Sequence, residues 1–160
     1  MAKQQARDIH LVIRFSDALF GGVKTIEVHQ EVIVEQGAVW LAKVGKPLGQ
    51  QRIAKLNRQV ETGVQTLLFL VQRKGHTYIW AKGHIAFVQR DLPESEMQLV
   101  PTYYHTSGLL QHASTWFKLV SLSGAAKESI GNLVVASSGK PIYEALTESM
   151  AAMFIVQWEG

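Results

Sequence analysis

A chain that carries GVQTLLFLVQRKGHTYIWAKGHIAFVQ from Gly63 to Gln89 has few ways to build its core. Val64 to Gln72 is almost unbroken in Val, Leu, Phe and Thr, a pattern suited to a strand buried on both sides. Arg73-Lys74-Gly75-His76 interrupts it with turn residues. Thr77 to Val88 then resumes with Tyr78, Ile79, Trp80, Ile85, Phe87 and Val88, so the stretch predicts a long hairpin. Gly83 lies inside the second arm, where a glycine marks a bulge or bend. A long apolar hairpin with a kink is the centre of a small, curved barrel-like sheet.

The flanking segments alternate between helix and strand signals. Ile9 to Phe15 reads as a first strand, and Ser16 to Lys24 as a loop around Gly21-Gly22. Thr25 is placed to cap a helix that Gly37 ends, with Ile26, Val28, Val32 and Ile33 as its apolar side. Ala38 to Val44 is a strand. Gln50 to Glu61 is a helix with Ile53, Leu56 and Val60 inward and Arg52, Lys55 and Arg58 outward. Leu99 to Tyr104 is expected as a short strand broken by Pro101, and Thr115 to Leu122 as a further strand. Asn132 to Ser137 is a weaker strand signal. Pro141 to Ser149 has the form of a short helix with Pro141 in its first turn, and Met153 to Trp158 of a terminal strand. Residues 1 to 8 are polar and expected to fray. With no repeat, linker or low-complexity tract, residues 1–160 predict one α+β domain with a strongly curved sheet and flanking helices.

Composition narrows the class. Apolar residues make up 47% and charged residues 18%, which suits a globular chain. The longest apolar run falls far short of the ~18 residues of a membrane span, and residues 1–10 lack the apolar segment of a secretory signal. The chain has no cysteine, which removes disulfides, zinc-thiolate sites and cysteine nucleophiles and fits a reducing compartment. A cytoplasmic protein without membrane attachment is expected. The net charge of +3 permits a polyanionic partner if the positive residues cluster.

With the segments in order, a family resemblance emerges. Val39-Trp40-Leu41 followed by Lys43, the glycine-strand-turn-strand core from Gly63 to Val88, and Trp116-Phe117-Lys118-Leu119 together resemble the PUA-like superfamily of pseudo-barrels. They are most similar to its EVE and YTH branches, and the likeness covers residues 38 to 122. It implies a reader of a modified base in double-stranded DNA, of the kind found in modification-dependent restriction systems. Such a reader flips one base into an aromatic-lined pocket.

A flipped base needs flat, rigid faces and a few polar groups at its edge. Phe20, Trp40, Tyr103, Tyr104, His105 and Trp116 are the candidates for that pocket. For Trp40 and Trp116 the competing role is core packing. Strand alternation would let only one of Tyr103 and Tyr104 face a pocket. Asp17 is a candidate to accept a hydrogen bond from an exocyclic amine, against the ordinary role of a turn residue. For phosphates, Lys43 and Lys46 flank a glycine loop, and Arg52, Lys55 and Arg58 share a helix face. Arg73, Lys74, Lys82 and Arg90 at the hairpin ends form a second basic group. Solvated charged faces are the competing role for both groups.

Catalysis finds little support in the sequence. His76 and His84 stand eight apart with no carboxylate at ligand spacing, and no nucleophile elbow, phosphate loop or paired catalytic carboxylates occur. A non-enzymatic domain without metal or cofactor is therefore expected, with any nuclease or motor function in another domain or subunit. The rival readings are an RNA-binding module, a small-molecule or nucleotide enzyme using Asp17, Tyr104 and His105, and a protein-interaction module.

Overall fold

The computed structural model describes residues 7–159, so the expected fraying of residues 1 to 8 falls largely outside the described part. In chain order the strands are β1 His10–Arg14, β2 Val39–Val44, β3 Leu67–Lys74, β4 Thr77–Gln89, β5 Ala113–Ala125, β6 Leu133–Val135 and β7 Met153–Trp158. The helices are α1 Thr25–Gln36, α2 Gln50–Glu61, two four-residue turns α3 Tyr103–Thr106 and α4 Leu109–His112, and α5 Ile142–Glu148. Among the described residues the strands form one seven-stranded sheet in the order β2-β5-β4-β3-β1-β7-β6. Only β1 and β3 run parallel. The sheet stays open, with β2 and β6 at its edges.

The hairpin is the middle of this sheet, as its composition requires. β3 is buried from Leu67 to Gln72, and its alternate residues serve two cores. Leu68 and Leu70 face a core closed by Ile53 and Leu56 of α2 and by Ile26, Val32 and Ile33 of α1. Leu67, Phe69 and Val71 face the opposite core with Ile142, Ala145 and Leu146 of α5. Lys74 still pairs with Thr77, so the turn shrinks to Gly75-His76, with Gly75 at φ 62°.

The kink lies just beyond the predicted glycine. The register of β4 against β5 shifts between His84 and Ile85 and again between Ile85 and Phe87. Gly83 itself permits close approach: a Cβ there would stand 3.1 Å from the Ser121 carbonyl oxygen and 3.2 Å from Leu119 Cδ1. Because β4 outruns the start of β3, α2 supplies the missing backbone partners. Asn57 donates to the Val88 carbonyl and accepts from the Val88 N–H, each at 2.8 Å. Gln59 does the same for Ile9, accepting from its N–H at 2.8 Å and donating to its carbonyl at 2.9 Å.

Three local expectations need correction. Leu99 to Tyr104 is not a strand: a 3-10 turn ends at Leu99, and α3 begins at Tyr103. Pro101 has no N–H to give a ladder, and local bonds take over, Tyr104 N–H to the Pro101 carbonyl and His105 N–H to that of Thr102, both 3.1 Å. Thr25 is the first residue of α1 rather than its cap, and its N–H is met from outside the helix by Asp17 Oδ1 at 3.1 Å. Finally, β3 starts at Leu67, so residues 64–66 lead into the strand without belonging to it.

Candidate nucleic-acid interface

The open seam of the sheet is where a site forms. Ile13, Arg14 and Phe15 at the end of β1 and Leu41 to Val44 on the β2 edge line one cavity of about 140 Å3. Leu70 and Leu109 complete its apolar walls, and the turn holding Ser16, Leu19 and Phe20, the start of α1 at Thr25, and Tyr103 and Tyr104 close round it. A largely apolar hollow with few polar groups is the usual form of a small-ligand site.

Tyr104 is buried and does two structural jobs here. β2 is an edge strand, and the N–H of Ala42 is satisfied not by another strand but by the Tyr104 hydroxyl at 3.2 Å. The same hydroxyl lies 2.5 Å from His29 Nε2, while His29 Nδ1 lies 2.6 Å from the Thr25 carbonyl. A carbonyl only accepts, so Nδ1 carries the proton and Nε2 accepts from the tyrosine. Full burial holds His29 neutral, lowering its pKa to about 4. Burial also keeps the Tyr104 phenol well above its usual range and pushes that of Tyr103 up to about 12.

The six aromatic or histidine candidates separate by depth. Phe20 and Tyr103, both half-buried, stand at the cavity with ring centroids 5.7 Å apart and planes 51° apart. Tyr104 lies behind Tyr103, centroids 4.9 Å apart and nearly edge-on. Both tyrosines line the cavity, contrary to the alternation argument, because the segment is a helical turn. Trp40 is 1% and Trp116 3% exposed. Both belong to the apolar cluster under Tyr104, with Trp116 centred 5.9 Å from it. Neither lines the cavity. His105 is exposed and also lies outside the lining.

Asp17 anchors the loop and does not line the cavity. Besides the Thr25 N–H, its other oxygen accepts from Gln72 Nε2 at 3.4 Å, and its own N–H donates to Gln72 Oε1 at 2.7 Å. These bonds tie the β1–α1 turn to β3 and fix Leu19 and Phe20 in place. His29 escaped sequence reasoning. Thr25 and His29 stand one helical turn apart and are the buried residues of α1, while the apolar Ile26, Val32 and Ile33 are only partly covered.

The basic candidates fall in different places. Lys43 lines the cavity, and its ammonium donates to the Lys46 carbonyl at 2.5 Å and the Val44 carbonyl at 3.3 Å. Desolvation lowers its pKa. Lys46 is exposed in the next loop. Arg52 and Arg58 are exposed on α2, and Lys55 donates to the Arg7 carbonyl at 2.9 Å, near the start of β1. None of these five is within ion-pair distance of a carboxylate among the described residues. Of the second group, Arg90 is spent on the Leu48 carbonyl at 3.0 Å, and Arg73 lines a separate cleft beside the cavity.

Among the described residues no group of three or more His, Asp or Glu could hold a metal ion, and no helix is long and apolar enough to cross a membrane. No curated protein and no solved structure matches the chain. A family model described as Pua-like, whose fold is of a nucleic-acid-binding type, matches residues 11–147, from β1 into α5. The chain belongs to the Pua-like family.

Proposed function

We propose that this domain is a non-catalytic reader of DNA that takes one modified base out of the duplex and into the cavity between β1 and the β2 edge. The observation that carries this reading is the cavity itself, walled at its mouth by Phe20 and Tyr103. Its volume of about 140 Å3 is close to that of an engineered ~150 Å3 cavity that admits one benzene ring. A single six-membered ring fits such a space better than a fused pair, so a pyrimidine is favoured over a purine. Aromatic faces and apolar walls hold a flipped base and any added alkyl group. Lys43 in the lining and Lys46 in the adjoining loop, with Arg52, Lys55 and Arg58 on α2, supply charge for the phosphates. The similarity of Val39-Trp40-Leu41 and of the central hairpin to EVE domains supports the same reading. Nuclease or motor activity, where the reader is used in restriction, belongs to a different domain or subunit.

The test is anisotropy titration of short DNA duplexes that differ in one base: cytosine, 5-methylcytosine, 5-hydroxymethylcytosine, adenine or N6-methyladenine, each with its RNA counterpart. Salt-dependent binding to DNA, tightest for one modified cytosine, is the expected result. Retention of RNA alone would move the reading to an RNA module. Binding to neither nucleic acid at low salt would overturn it.

A further inference from the structure

We infer that the cleft beside the cavity carries the phosphodiester strand that flanks the bound base, an inference that rests on the function proposed above. The cleft, about 670 Å3, lies between the end of β1, the β3–β4 turn and the segment joining α5 to β7. Arg14, Phe15, Ser16, Leu19 and Ala152 line both hollows, so cleft and cavity are contiguous. A base in one and its neighbouring backbone in the other need no intervening span.

The charge in the cleft has one sign. Arg14 and Arg73 line it, and no carboxylate does. Arg14 is fixed by its own donors: Nε bonds the Ala151 carbonyl at 2.9 Å, and Nη2 bonds those of Leu146 at 2.7 Å and Ser149 at 2.5 Å. That leaves the Nη1 protons without a protein acceptor among the described residues, held on a rigid fork. Arg73 uses only Nε, on the Gly75 carbonyl at 3.0 Å, and presents both terminal amino groups. A planar fork with free amino groups matches phosphate oxygens. Leu19 and Met150, 73% and 87% exposed, add apolar surface at the rim. Free inorganic anions would not use that surface, whereas the sugars and bases of a strand would. Leu19 lines both hollows, and an exposed apolar side chain there suits propping an opened base step.

The experiment compares Arg73→Glu with Lys82→Glu, an equal change of net charge at a hairpin lysine that lies outside this cleft, in a separate one lined by His10 and Trp158. Binding of a modified-cytosine duplex and its unmodified twin is followed across a salt series. Arg73→Glu is expected to weaken both duplexes about tenfold and alike, preserve the preference for the modified one, and reduce the salt slope by about 1. Lys82→Glu should leave the slope near that of the parent. If the parent binds and Arg73→Glu matches it, or if the two variants weaken binding equally, the cleft is not the strand path, though the base-reader reading stands. If the parent binds neither duplex, that reading fails and the inference with it.

Discussion

Tyr104 shows how one hydroxyl can decide whether an edge strand and a buried histidine are tolerated. Its oxygen takes the Ala42 N–H, and its proton goes to His29 Nε2. Tyr104→Phe keeps the ring but leaves the buried His29 Nε2 and the part-buried Ala42 N–H unmet, at a cost of about 1–3 kcal/mol for the histidine and less for the amide, which water can reach. The variant is expected to melt several degrees below the parent. Trp40→Ala and Trp116→Ala remove larger parts of the same cluster, and a loss of about 3–5 kcal/mol is expected for either. His29 also sets a pH dependence. Its folded pKa of about 4 lies below the unfolded 6.5, so its contribution is complete above pH 6.5 and is lost as pH falls toward 4. The buried His10, also lowered by desolvation, acts in the same direction. The fall in melting temperature across that window should therefore be shallower in His29→Gln than in the parent. An equal fall in both would assign the dependence to other groups.

Elements were far more legible than their ends. The two arms of the hairpin, α2 and β7 follow from apolar runs, helical spacing and glycine placement, although Ile79 and Phe87 of β4 and Trp158 of β7 stay exposed. Two things escaped a reading by pattern. One is where a backbone finds its partners at a distance: Asn57 and Gln59 look like surface polar residues until β4 and Ile9 present unpaired groups to them. The other is Leu99 to Tyr104, whose β-like composition gave way to local bonds because Pro101 cannot join a ladder. That change brings Tyr103 and Tyr104 to the same side, and with it the cavity. Asp17 and His29, both polar, organise the site through tertiary bonds that no local window contains. At this scale Gly83→Ala is the sharpest test. The new methyl would press on the Ser121 carbonyl, and overpacking of this kind costs about 1–3 kcal/mol. A Gly83→Ala protein as stable as the parent would show that β5 has room to move away.

For the whole molecule, the open edge of the sheet and the cavity are one feature. A fully closed barrel would pair β2 with a strand and leave no seam, whereas here Tyr104 satisfies the edge and the gap becomes a cavity. Charge surrounds it unevenly, with Lys43 and Lys46 on one side, the arginine-lined cleft on the other, and α2 reaching toward the far end of β1. Reversing Lys46 and Arg52 together should weaken binding to all duplexes alike and flatten the salt slope by about 2 if both contact phosphates. A slope changed only by substitution at Lys46 would confine the footprint to the mouth. The central claim, that a base enters the cavity beside Phe20 and Tyr103 and stacks on one of them, has a more direct test. It is the ratio of affinities for duplexes with and without the preferred modified pyrimidine, measured for the parent and for Tyr103→Ala with melting temperatures alongside. Stacking on an aromatic face is worth about 1–3 kcal/mol per base, or roughly one to two decades. The ratio should fall by that amount while the protein stays folded and its affinity for unmodified DNA persists. A stable Tyr103→Ala and a stable Phe20→Ala that both keep the parent's ratio would contradict it.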